Sequence, residues 1–111
     1  MTSWTAVCAM DDLLPELGAG AMVDGVQVAL FRLADDRVLA IHQRDPYSGA
    51  NVLSRGIIGS RGDVATVTSP MYKQVWNLAT GECLDPVGKD PVDLRTCAVE
   101  VTGGQVRVSL G

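Results

Sequence analysis

Apolar and polar residues alternate along most of this chain with the period of β-strands. No segment carries the three-turn apolar stripe of an amphipathic helix. Trp4, Ala6, Cys8 and Met10 share one face against Thr5, Val7 and Ala9, which predicts a first strand over 4–10. Asp11-Asp12-Leu13-Leu14-Pro15-Glu16 combines acidic N-cap chemistry with a proline and predicts one short helical turn that Pro15 stops. Gly18 and Gly20 predict irregular backbone after it. Met22-Val23 and the run from Val26 to Leu33 flank Asp24-Gly25, a pair suited to the positive φ of a tight hairpin turn. Val38 to His42 follows as a further strand after the turn Ala34-Asp35-Asp36-Arg37.

The second half keeps the same rhythm. Val52 to Ser54 and Ile57 to Gly59 predict short strands, with Gly56, Gly59 and Gly62 at their bends. Asp63 to Thr68 is a β-branched run, Lys73 to Leu78 returns, and Gly81 takes the left-handed position of the next turn before Cys83-Leu84. Asp85 to Pro91 holds two prolines and a glycine and predicts a surface loop. Leu94 to Val101 and Gln105 to Leu110 form a last hairpin around Gly103-Gly104. Short strands joined by tight turns imply an all-β fold. The expected architecture is two packed antiparallel sheets plus a small two-loop β subdomain over about 43–78, within a single domain spanning 1–111.

Composition narrows the function. The chain has 111 residues, 47% of them apolar and 20% charged, enough for one real core. Its net charge of −4 argues against nucleic acid, which needs a basic stripe, and against an anionic membrane surface. No stretch approaches the roughly 20 apolar residues of a membrane helix, and the N-terminus lacks the basic start and apolar run of a secretory signal. Cys8, Cys83 and Cys97 are an odd number with no Cys-x-x-Cys. Reduced thiols in a cytoplasmic protein are expected, with a Cys83–Cys97 disulfide as the alternative.

Most candidate chemistry dissolves on inspection. Asp11-Asp12 and Asp35-Asp36 lie in turns, where capping or solvated roles fit them. Gly56-x-x-Gly59-x-x-Gly62 precedes no helix, so it is no phosphate cradle. His42 is the sole histidine and no nucleophile motif accompanies it, so no catalytic residue is expected. Two loops remain. The first holds Asp45-Pro46-Tyr47-Ser48-Gly49 and the second Ser69-Pro70-Met71-Tyr72. Each alone reads as an ordinary Asx or Ser-Pro turn. As a pair around a Gly-bent hairpin, each with one small polar residue and one tyrosine, they form a matched set. Arg44, Arg55, Arg61 and Lys73 surround them in sequence, as a solvated rim or as a partner-docking rim.

The stretches His-Gln-Arg-Asp-Pro-Tyr-Ser-Gly-Ala-Asn-Val-Leu-Ser-Arg-Gly and Ser-Pro-Met-Tyr-Lys-Gln-Val-Trp-Asn-Leu-Ala-Thr-Gly-Glu-Cys-Leu resemble the small subunit of the assimilatory NAD(P)H-dependent nitrite reductase. The resemblance covers essentially the whole chain and implies a Rieske-like β-sandwich. It sets Asp45 and Ser69 where Rieske proteins have cysteines, and Tyr47 and Tyr72 where they have histidines. It implies no [2Fe–2S] cluster in this chain, since such a cluster takes thiolate sulfur and imidazole nitrogen. It further implies a large-subunit partner carrying FAD, an iron–sulfur cluster and sirohaem, which reduces nitrite to ammonium. A structural or docking role is expected for this chain, with a stand-alone Rieske-like module of another reductase or oxygenase as the alternative. The four replacements are expected to hold the loops closed by hydrogen bonds and tyrosine packing.

Overall fold

The computed structural model describes residues 3–110; Met1, Thr2 and Gly111, which the single-domain expectation also includes, lie outside the described residues. The strands are β1 (Thr5–Ala9), β2 (Gly18–Val23), β3 (Val26–Arg32), β4 (Val38–His42), β5 (Ile57–Arg61), β6 (Val64–Thr68), β7 (Val75–Asn77), β8 (Cys83–Asp85), β9 (Thr96–Thr102) and β10 (Gln105–Ser109). They form a six-stranded sheet in the order β1-β10-β9-β4-β3-β2 and a four-stranded sheet in the order β5-β6-β7-β8. Every strand pairing is antiparallel.

The apolar run in β3 explains how the sheets meet. Val28 and Leu30 point into a core inside the larger sheet, together with Val23, Val38, Ala40, Val106 and Val108. Ala29 and Phe31 point the other way, with Ile41, into a second core against Leu53, Val67, Trp76 and Leu78. Successive residues of a strand face opposite sides, so a strand buried on both faces must be apolar at consecutive positions. Each fully buried Val, Leu, Ile or Phe side chain contributes about 1.5–3 kcal/mol relative to exposure. Asp24 (φ 49°) and Gly25 (φ 81°) turn the β2–β3 hairpin as their sequence required.

Three local expectations are corrected. Residues 18–23 are a regular strand, not irregular backbone, because Gly18 and Gly20 serve close packing there. A Cβ at Gly18 would collide with the Ser54 carbonyl oxygen, and one at Gly20 would press on the Gln43 amide. Residues 52–54 form no strand; a 3₁₀ turn over Leu53–Arg55 places Leu53 in the core instead. Gly59 marks no bend, since it sits mid-strand in β5 opposite Thr66. The acidic turn after β1 is a 3₁₀ turn over Met10–Asp12, with the Asp12 carboxylate accepting the Ala9 amide at 3.0 Å. The three thiols are free, so no Cys83–Cys97 disulfide forms.

Candidate functional site

Loop one leaves β4, and loop two connects β6 to β7. Asp45 and Ser69 are both fully buried. The Ser69 hydroxyl donates to Asp45 Oδ2 at 2.5 Å, joining the loops at their bases. The other carboxylate oxygen accepts the Tyr47 amide at 2.8 Å, the Asx turn expected before Pro46. Backbone bonds frame it: Asp45 N donates to the Ala50 carbonyl and Gly49 N to the Asp45 carbonyl. In loop two, Ser69 Oγ accepts the Met71 amide at 3.1 Å, and Ser69 N donates to the Gln74 carbonyl. The Gln74 side chain is also fully buried, and its amide atoms have no hydrogen-bond partner among the described residues.

The two tyrosines part company. Tyr47 packs inward, its ring 5.9 Å from that of Trp76. Its hydroxyl donates to the Asp90 carbonyl at 2.7 Å and accepts the Val92 amide at 2.9 Å. The Cys83 sulfur lies 3.7 Å away. Burial, then the Cys83 contact, pushes the phenol above its ordinary value, so it stays protonated and able to donate. Trp76 Nε1 donates to the Val92 carbonyl at 2.9 Å, so Val92 is held by both rings. Tyr72 instead is 52% exposed beside exposed Met71, with no hydrogen bond among the described residues. The expectation that it fills the pocket is corrected: Lys73, at φ 68°, turns the chain just after it, and no neighbouring loop covers it.

The basic residues also separate. Arg44 lies at the base of loop one, bridged to Asn51. Arg55 precedes β5, whose first residue Ile57 pairs with Thr68 at the threshold of loop two. Lys73 reaches back to the Pro70 carbonyl within loop two. Arg61 pairs with Val64 at the other end of that hairpin, roughly 13 Å along the strand. His42 ends β4 beside the 91–95 segment, its amide donating to the Arg95 carbonyl at 2.9 Å. Burial, then the Arg95 charge, holds its imidazole below the ordinary histidine value.

These donors do not fit a Rieske cluster. The inward side chains at the loop bases are a carboxylate and a hydroxyl already bonded to each other, and such irons take sulfur and imidazole. Cys83 is the lone thiol beside the loops. Cys8 and Cys97 pack against the core inside the larger sheet. Among the described residues, no three His, Cys, Asp or Glu side chains are grouped to hold a metal ion. None of the described helices is long and apolar enough to cross a membrane.

Sequence reasoning placed a surface loop over 85–91 but missed that residues 90–92 form a third loop standing against loop one. Tyr47 reaches it across 43 and 45 positions of chain and Trp76 across 16, and no local signal marks such contacts. It also missed Gln43, which accepts the Ser54 amide at 2.6 Å and donates to the Ser54 hydroxyl at 2.9 Å, pinning the 3₁₀ turn.

Known proteins share this fold and much of this sequence. The family model of the Rieske-like [2Fe-2S] domain matches residues 3–109. The nitrite reductase (NADH) small subunit of Salmonella typhimurium is 42% identical over 86 residues, 77% of this chain and 80% of that one. A chain described as an NADH-dependent nitrite reductase small subunit from Mycobacterium tuberculosis superposes with a TM-score of 0.90 at 46% identity, covering 98% of this chain and 96% of that one. The nitrite reductase [NAD(P)H] large subunit of Klebsiella oxytoca is 41% identical over 105 residues, 95% of this chain but 11% of its own length.

Proposed function

This chain belongs to the Rieske-like [2Fe-2S] domain family and, within it, to the nitrite reductase small subunits, and we propose that it serves a cytoplasmic, assimilatory NAD(P)H-dependent nitrite reductase as a cluster-less structural or docking subunit. The Asp45–Ser69 hydrogen bond carries this reading. It occupies the loop bases with oxygen chemistry, closes the loops without iron and leaves no electron carrier there. Reduction of nitrite to ammonium then belongs to a large subunit holding FAD, an iron–sulfur cluster and sirohaem. A relative whose large subunit contains a copy of this domain within its own chain supports a large-subunit partner. The docking face comprises the exposed loop tips Met71 and Tyr72 with Arg44, Arg55 and Lys73 around them. Arg61, at the far end of the hairpin, falls outside it.

The experiment is reconstitution. The purified chain is expected to be colourless between roughly 400 and 600 nm, where iron–sulfur clusters absorb. It is expected to co-purify with the large subunit and to raise that subunit's nitrite-dependent NAD(P)H oxidation. A brown chain with cluster absorbance refutes the cluster-less state, and full turnover by the large subunit alone refutes a required role.

A further inference from the structure

A cavity of about 300 Å³ opens beside loop one, lined by His42, Arg44, Pro46, Asp93, Leu94 and Arg95. Two arginines and one aspartate are among its lining residues. The Asp93 carboxylate is engaged, accepting the Cys83 amide at 2.8 Å. Neither Arg44 nor Arg95 has an acidic oxygen within 4.0 Å among the described residues; Arg55 and Arg61 also lack one but do not line this cavity, and Arg32, Arg37 and Arg107 are each paired with an acid. A chain of net charge −4 thus keeps two cations without a counterion at one concave place. Pro46 and Leu94 give the same cavity apolar wall, suited to a methylene stem. Its volume lies at the low end for ligand pockets, with room for a side chain rather than a cofactor. Arginine's planar fork matches the two oxygens of a carboxylate.

We propose that this cavity receives an Asp or Glu side chain of the large subunit, held between Arg44 and Arg95 with its stem against Pro46 and Leu94. The inference rests on the proposed nitrite reductase partnership and extends the docking face past the loop tips to the 91–95 segment. Such a pair, desolvated at an interface, dominates dissociation and leaves the free chain's fold untouched.

The test measures binding of the full chain to purified large subunit by calorimetry at low and high salt. Arg44→Ala and Arg95→Ala are each expected to weaken the complex tenfold or more. Combined reversal to R44E and R95E is expected to abolish it, with thermal melting of the free chain unchanged. Arg61→Ala serves as the control and is expected to bind like wild type. If wild type binds and both alanine variants bind equally well, the cavity assignment is overturned and the partnership stands. If wild type forms no complex, the partnership fails and the assignment with it. Titration of the free chain with sodium nitrite is expected to leave the His42 ring resonances unmoved. A saturable shift there would overturn the assignment in favour of a free anion.

Discussion

In loop one both the small polar residue and the tyrosine turn inward, whereas in loop two only the small polar residue does. Asp45 and Tyr47 are coupled by the Asx turn, and a third loop stands over them to receive the phenol. Ser69 is buried and joined to Asp45, but Tyr72 stands half in solvent beside Met71. A shared sequence device therefore yields two different fates. What decides is the neighbour: loop one has a wall of backbone groups at residues 90–92 needing partners, and loop two has none. Loop one is built for stability, and loop two leaves its apolar tip free for contact.

Four substitutions bear on that contrast. Asp45→Ala should be the most damaging, because it leaves the buried Ser69 hydroxyl and the Tyr47 amide without their acceptor. The expected loss is about 3 kcal/mol in urea unfolding. A double-mutant cycle with Ser69→Ala should give a coupling of about 1 kcal/mol or more, and additive losses would show that the loops do not depend on this bond. Tyr47→Ala should cost about 2 kcal/mol, less than the usual range for a fully buried ring because Tyr47 is half-buried. It should also free residues 90–92, visible as faster amide exchange of Val92. Tyr72→Ala should change stability by less than about 0.5 kcal/mol, as exposed substitutions do. If Tyr72→Ala destabilised the free chain as much as Tyr47→Ala, the contrast between the loops would collapse. In the complex the order should reverse, with Tyr72→Ala weakening large-subunit binding.

Much of the fold was legible because the strands announce themselves. Val26 to Leu33 and Gln105 to Leu110 have a period and turn chemistry that admit one reading, and the strands observed lie within a residue or two. Gly18 and Gly20 misled because glycine signals both conformational freedom and close approach, and the collision that requires Gly18 lies with Ser54, distant in sequence. Val52 to Ser54 misled because a buried Leu53 suits a strand or a 3₁₀ turn equally. In the site, Asp45, Ser69 and the Asx turn follow from local rules. The fate of Tyr72 and the pairing of His42 with Arg95 depend on which loops stack against which, and that information is spread over the chain.

The two-sided burial of β3 and β4 has a consequence for how this molecule comes apart. Ala29, Phe31 and Ile41 serve one core while Val28, Leu30 and Ala40 serve the other, all on the same two strands. Peeling away the four-stranded sheet would expose one face of that hairpin to water, and opening the larger sheet would expose the other. Neither half has a private foundation, so loss of either sheet strips a face from the shared hairpin and the two sheets come apart in a single cooperative transition.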